Sequence, residues 1–296
     1  MKMNRRQGPT EAKPFGLSQA SINLSDREFD QIRAMVKEKT GISLGLQKRD
    51  LVVSRLARRL RARDMTTFSE YLEYLETQDD GGELVEMINQ ITTNKTDFFR
   101  EKHHFEYLND HLLPRLAAEG EAKGQKRIRL WSAGCSYGAE PYTLAMVLAE
   151  FFAKRPGWDV RILATDLDTT MLARASEGMY DDDFLSPVPK AMLSKYFERD
   201  KSQGAPSWKA RPAIRDMITF RKFNLIHPTY PFKVKLDFVF CRNVLIYFDQ
   251  AEKIRVLTKM HGVLKPDGLL FVGHSESLMM VKDLFRYEAT TVYRRI

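Results

Sequence analysis

The chain of 296 residues is predicted to be an α/β protein, an open and mostly parallel sheet covered by helices, preceded by a small all-helical domain and interrupted by a short β insertion. Two observations carry this. Apolar, β-branched runs ("RIRLWSAG", "VRILATDLD", "LDFVFCRN", "GLLFVGHS") alternate with helical stretches ("PYTLAMVLAEFFAK", "AEKIRVLTKMHGVL") from about residue 97 onward, and that alternation is the signature of crossover-connected parallel strands. Before residue 97 there are only helix-period patterns.

Residues 1–20 mix Pro, Gly, Gln and charge without periodicity and are expected to be a disordered tail. The helical domain is expected over 21–92. Ser25 or Asp26 caps a helix with Phe29, Ile32 and Val36 on one face, and Gly41 ends it. The next helix carries Val53, Leu56 and Leu60 on one stripe and Lys48, Arg55, Arg58 and Arg59 on the other side. Thr67 and Glu70 form a capping box for a third helix. Leu84, Met87, Ile88 and Ile91 share a face of the fourth. The α/β domain is expected over 93–296, with the insertion at about 193–233, where "DKSQGAPSWKARPAIRD" and "MITFRKFNL" break the rhythm.

Composition excludes several classes. There is no apolar run of membrane-spanning length, and the N-terminus has no signal-peptide core. Two cysteines, Cys135 and Cys241, make neither a disulfide framework nor a metal knuckle, which favours a reducing, cytoplasmic setting and no metal. Lys and Arg exceed Asp and Glu by 47 to 39, a net charge of +8; an anionic partner suits that balance, be it nucleic acid or an acidic protein.

The loop "LWSAGCSYGAEP" follows the first strand, where open sheets of this kind hold their ligands. Gly134 and Gly138 allow close backbone approach, yet their four-residue spacing is not the dinucleotide fingerprint, and no lysine follows as in a P-loop. A nucleoside without phosphates fits better. Asp166 ends the second strand, where an acid can accept both ribose hydroxyls. Together these features describe a nucleoside site of the S-adenosylmethionine kind, with Glu140 either at the ligand or a first-turn acid favoured by the helix dipole.

Four stretches, "ITTNKTDFFREKHHF", "AGCSYGAEPYTLAM", "FCRNVLIYFD" and "GLLFVGHSESL", closely resemble the chemotaxis receptor methyltransferases, the CheR family, in the same order from about Phe29 to the C-terminus. The resemblance implies a class I S-adenosylmethionine-dependent methyltransferase domain (a Rossmann-like doubly wound sheet) with a helical N-terminal domain and an inserted antiparallel β-subdomain. It further implies methylation of glutamate side chains on cytoplasmic chemoreceptor helices, leaving S-adenosylhomocysteine. Position by position it assigns Asn94, Thr96, Arg100, Glu140, Asp166, Asn224, Leu225, Asn243 and Val244 to the cofactor pocket, beside Gly134 of the glycine loop, and places Arg100 and Tyr247 nearest the transferred methyl. Ala139 stands where the family usually has an acid, and Tyr137 where a small hydroxyl residue is common; Tyr137 is expected to narrow the pocket mouth.

The implied partner is a receptor coiled coil with acidic side chains, against which Lys48, Arg55, Arg58 and Arg59 would form a steering face; reversing Arg55 and Arg59 would then weaken receptor binding alone. A receptor C-terminal peptide docked on the β-subdomain by strand addition is implied for some members. The chain is expected to act as a monomer without membrane insertion. His103, His104 and the "GHSES" serines are read as structural, and Cys135 as a small buried residue. Two rivals stay open. A nucleic-acid methyltransferase would want an Asn/Asp-Pro-Pro-aromatic clamp where this chain has "CRNVLIYFD", and a non-catalytic nucleoside-binding module would keep the same pocket.

Overall fold

The computed structural model describes residues 23–200 and 207–296. The expected tail at 1–20 and residues 201–206 of the expected insertion lie outside the described residues.

Four helices open the chain: α1 (Asp26–Thr40), α2 (Arg49–Ala62), α3 (Phe68–Thr77) and α4 (Gly82–Ile91). Ser25 with Glu28, and Thr67 with Glu70, complete reciprocal capping boxes on α1 and α3, each satisfying two otherwise unpaired N–H groups. Gly41 ends α1 at φ 76°, a left-handed conformation suited to glycine. Phe29, Ile32, Val36, Leu56, Leu60, Tyr71, Met87 and Ile91 fill one core between the helices.

Beneath that core lies a charge network that changes the reading of α2. Glu83, its side chain fully buried, accepts from Arg59 Nε at 2.8 Å, Arg63 Nε at 2.9 Å and Tyr71 Oη at 2.7 Å. Arg55 donates to the carbonyls of Gln90, Ile91 and Thr92, capping the end of α4. The expected steering face is therefore corrected: Arg55 and Arg59 hold the bundle together, and only Lys48 and Arg58 of that set are exposed.

The α/β domain begins with α5 (His103–Tyr107), a wider π turn (Leu108–Leu112) and α6 (Leu113–Ala122). It continues with β1 (Arg127–Ala133), α7 (Ala139–Phe152), β2 (Asp159–Asp166), α8 (Thr169–Glu177) and β3 (Met179–Tyr180). Next come α9 (Asp182–Leu185), α10 (Lys190–Tyr196), β4 (Phe197–Asp200), β5 (Ser207–Ala210), α11 (Pro212–Arg215), β6 (Ile218–Lys222) and β7 (Leu236–Cys241). Helix α12 (Gln250–Val263) and β8 (Leu264–Val272), β9 (Phe285–Ala289) and β10 (Val292–Arg295) complete it. Seven strands form one sheet in the order β6-β2-β1-β7-β8-β10-β9, parallel from β6 to β8 and antiparallel at β10 and β9.

Both sheet faces are buried by alternation. Leu130, Phe238, Phe240 and Phe271 point toward α5, α6 and α7, while Trp131, Val239, Cys241 and Val272 point toward α12. The separate three-stranded antiparallel sheet has the order β3-β5-β4. It thus spans Met179 to Ala210, earlier than the expected 193–233, and "MITFRKFNL" supplies β6 of the main sheet. The reason is positional: β6 is an edge strand with only Ile218 buried, so it lacks the apolar run that marks a central strand.

The two domains are joined above the carboxyl ends of the parallel strands. Ile42 bridges to Phe248, Ser43 N donates to the Tyr247 carbonyl at 2.8 Å, and Asn224 Nδ2 donates to the Lys39 carbonyl at 2.7 Å. Among the described residues no helix is long and apolar enough to cross a membrane.

Burial alone would raise the Glu83 carboxyl, but the hydrogen bonds from Arg59, Tyr71 and Arg63 outweigh it and hold it below its ordinary value of 4.5. A depressed carboxylate contributes stability that is present above the ordinary value and lost as pH falls through the folded one. We expect Arg59→Ala to cost about 3 kcal/mol in urea unfolding at pH 7, the effect of leaving a buried charge short of its partner, and this difference to shrink as pH falls below 4.5. A surface role for Arg59 would leave the unfolding midpoint unchanged.

Candidate active site

The sheet reverses direction of growth at β1, flanked by β2 on one side and β7 on the other, and a cavity of about 570 Å³ opens there. That size lies within the roughly 300–1,000 Å³ of small-molecule sites. The loop after β1 contributes Gly134 and Ser136, α7 contributes Glu140, and the end of β2 contributes Asp166. The segment after β6 brings Phe223, Asn224 and Leu225, and the one after β7 brings Arg242, Asn243, Val244 and Tyr247. The fourth wall comes from Thr92–Asp97 and Arg100 and from the turn between α1 and α2, which includes Lys48. All ten positions assigned to the cofactor pocket, together with Tyr247, face this one space; Arg55, Arg58 and Arg59 are not in its lining. Tyr137 is not in its lining either; its ring packs edge-on against Phe184 at 5.9 Å, so the expected narrowing of the mouth is corrected.

Several side chains are built into their places. Asp166 accepts from Ser136 N at 2.8 Å and Asp168 N at 2.9 Å. Burial nevertheless pushes its carboxyl up, those backbone N–H groups opposing. Glu140 is also pushed up by burial, against the pull of Arg242 and the Ser132 hydroxyl, which donates to it at 2.6 Å. Both acids face the cavity, where a ligand carrying hydroxyl and ammonium groups would meet them. The Asn94 amide donates to Asp168 at 2.7 Å and the Asn224 amide donates to Lys39, so each keeps a structural duty beside its place in the wall. Asn243 adopts φ 59°, and its N–H donates to Glu276 at 2.9 Å.

The sequence reading missed the supports. Arg242, 3% exposed, lies 3.4 Å from Glu140 and 3.5 Å from Glu101. Glu276 accepts from Asn243 N and Ile246 N in the loop after β7 and from Gly273 N just after β8, tying the two segments together. Asp168 caps α8 and receives Asn94 and Thr92. The only signal for Arg242 and Glu276 was their position inside quoted stretches, since their partners are far away in sequence. His104 is fully buried with its imidazole driven down to about 3, first by desolvation and then by Arg242 and His103. It is a neutral ring packed edge-on against Phe271. Cys135 and Cys241 are buried free thiols.

A glycine loop after the first strand, an acid at the tip of the second and an apolar wall of Phe223, Leu225 and Val244 define a nucleoside-binding α/β enzyme of the S-adenosylmethionine-dependent methyltransferase class. Residues 94–294 match the model of the CheR methyltransferase SAM-binding domain, and residues 27–92 match that of the CheR methyltransferase all-alpha domain. The chain belongs to the CheR methyltransferase family, and its cofactor is S-adenosylmethionine. It is 40% identical over 92% of its length to the chemotaxis protein methyltransferase of Escherichia coli strain K12, covering 92% of that protein. It is 37% identical over 97% of its length to the chemotaxis protein methyltransferase of Borreliella burgdorferi, covering 99%. Chemotaxis protein methyltransferase 2 of Pseudomonas aeruginosa is 35% identical over 96% of the chain and is covered to 99%.

Gly273 backs onto the Asn243 loop so closely that a Cβ there would stand 2.8 Å from the Asn243 backbone nitrogen, a distance backbone cannot accommodate without shifting. Gly273→Ala is expected to weaken binding of S-adenosylhomocysteine by about tenfold in calorimetry, a loss of about 1.4 kcal/mol, while the protein stays folded by circular dichroism. Unaltered affinity would show that the Asn243 wall is not part of the cofactor site.

Proposed function

We propose that this methyltransferase acts on glutamate γ-carboxylates of cytoplasmic chemoreceptor helices, forming methyl esters during sensory adaptation, and that it works in the cytoplasm as a monomer. The names of its relatives, chemotaxis protein methyltransferases, support the setting. One feature of the cavity supports the acceptor. Arg100 lines it and donates to the Lys95 carbonyl at 3.1 Å, and among the described residues no carboxylate forms an ion pair with it. A guanidinium without a carboxylate, beside a cofactor site, suits an incoming anionic side chain.

In this reading Asp166 receives ribose hydroxyls. Glu140 meets the donor's polar tail, and Leu225, Val244 and Phe223 cover the adenine. Asn94, Thr96, Gly134, Asn224 and Asn243 close the pocket around them. When bound, S-adenosylmethionine supplies an electrophilic methyl on a sulfonium, which leaves as the neutral thioether S-adenosylhomocysteine while a carboxylate oxygen forms the ester bond. No proton moves, because a glutamate is ionised at neutral pH. The chain's own task is then to aim one oxygen and exclude water. Arg100 orients the acceptor carboxylate through a single contact, since a two-pronged grip would draw charge from both oxygens, and Tyr247 steers from the opposite loop. Lys48 and Lys95, also in the lining, extend the cationic rim toward an acidic coiled coil, and Arg58 adds to the field from the exposed side of α2. A receptor C-terminal peptide would add to the outer edge of β4, the terminal strand of its small sheet.

With labelled donor and receptor-containing membranes, label should enter the receptor and be released as methanol by mild alkali. Alkali-stable label would mean an amide, amine or ring product and would sink the ester reading. Arg100→Ala should lower kcat at saturating donor by about 100-fold, the scale of a lost orienting contact, and, because Arg100 also stands in the cofactor pocket, weaken binding of S-adenosylhomocysteine as well; Tyr247→Phe should lose less in kcat.

A further inference from the structure

Arg100 is held in an unusual way. It sits in a segment without helix or strand between two residues in the left-handed region, Phe99 at φ 54° and Glu101 at φ 57°. Each such conformation costs on the order of 1 kcal/mol for a residue with a side chain. It persists only where the surroundings dictate it. Three anchors do so here. Phe99 N donates to the Thr143 hydroxyl at 3.2 Å, fixing the segment to α7. The guanidinium of Arg242 donates to the Arg100 carbonyl itself. The Glu101 carboxylate lies 3.5 Å from Arg242 and accepts from His274 N at 3.3 Å.

Arg242 has no freedom to do otherwise. Its side chain is 3% exposed, between Glu101 and Glu140, with Phe105 and Phe240 within 6 Å on its faces. Its backbone continues β7 directly. A buried cation with two carboxylates and one carbonyl is a rigid spacer. It ties the acid on the cofactor side, Glu140, to the main chain of the cation on the acceptor side, Arg100.

We infer that Arg242, together with Glu101, is a positioning device for the methyl acceptor: the pair sets the main chain of Arg100 so that its guanidinium enters the cavity, and it acts on the acceptor through Arg100, although Arg242 itself also lines the cavity. This rests on the acceptor role given to Arg100 above. Arg242→Lys keeps the charge and loses the fork that spans Glu101, Glu140 and the carbonyl. Glu101→Gln keeps the hydrogen bond from His274, loses the ion pair, and leaves the Arg242–Glu140 pair in place.

The test is a double-mutant cycle with Arg100→Ala, with rates normalised to binding sites for S-adenosylhomocysteine counted by calorimetry, and with thermal melting recorded for every variant. Singly, Arg242→Lys and Glu101→Gln are expected to lower kcat at saturating donor by about 10- to 100-fold, with the KM for receptor moving less than about threefold; Glu101 is not in the cavity lining, so Glu101→Gln is also expected to keep the affinity for S-adenosylhomocysteine within about threefold, while Arg242→Lys, beside Glu140, is read by kcat alone. In the Arg100→Ala background either change should cost less than about threefold more, because residues acting through one group are not additive. Full multiplication of the losses would overturn the inference, and so would a loss seen only as a lower melting temperature or fewer binding sites. Should one variant fail to fold, the other decides. If Arg100→Ala itself retains full activity, it is the acceptor role of Arg100 that fails.

Discussion

Four acids converge where the sheet meets its ligand: Glu101, Glu140, Asp166 and Glu276, none of them exposed. Gathering negative charge in a region of low dielectric is the constraint to which the surrounding structure answers. Each acid is met differently. Glu276 takes three backbone N–H groups and Asp166 takes two, while Glu101 and Glu140 share Arg242. The outcomes differ accordingly. Burial would raise Glu101, but Arg242 and His274 outweigh it and hold that carboxyl low. Glu140, Asp166 and Glu276 remain raised by desolvation. Of these, Glu140 and Asp166 line the cavity, so two acids whose charged form burial disfavours face the space where the ligand binds.

The same constraint explains why the cavity needs two domains. The carboxyl ends of a parallel sheet provide only a floor, and a buried site needs walls. The helical domain supplies one through the turn after α1. Gly41 permits its sharp exit, and the bridge from Ile42 to Phe248 pins it to the loop after β7. Lys37 adds an ion pair to Asp249 at 2.6 Å, exposed on both sides and of small worth. The Asn224 amide, bonded to the Lys39 carbonyl, makes a cofactor-wall residue part of the domain joint. Movement of the helical domain would consequently be felt in the pocket.

Much of this was legible because local signals agree with the fold. Capping boxes at Ser25 and Thr67, period-2 alternation in "LDFVFC" and the glycines after β1 each have one structural solution, and the chain adopts it. The misreadings have a common physical source. Helical period places Arg59 on the polar side of α2 but is silent on whether that side meets water or an acid from another helix. Glu83 in "GGELVEM" looks like a first-turn helix acid until tertiary packing buries it. Sequence pattern places β6 with the insertion because an edge strand is half solvated and has no apolar run. The motif that points to Asn243 gives no sign of its neighbour Arg242: the three partners of Arg242 lie at positions 100, 101 and 140, and single-sequence patterning carries no information about such distant pairings.

The two arginines at the site show why residue type underdetermines role. Both are guanidinium groups in the cavity lining, yet one lies between carboxylates and the other has only a carbonyl. A cation already neutralised by two acids adds little field for a third, since the nearest charges cancel over a few ångströms. One without a carboxylate partner projects its charge into the space where the acceptor must enter. The proposed chemistry would ask for this asymmetry. Were the acceptor a carboxylate, as proposed, transfer would be helped by a cation that approaches one oxygen and hindered by one that neutralises the nucleophile, so such a site would want one arginine that is held and another that is offered. The left-handed residues on either side of Arg100 are the backbone expression of that requirement, a conformation kept because Arg242 and Glu101 leave the segment no relaxed alternative.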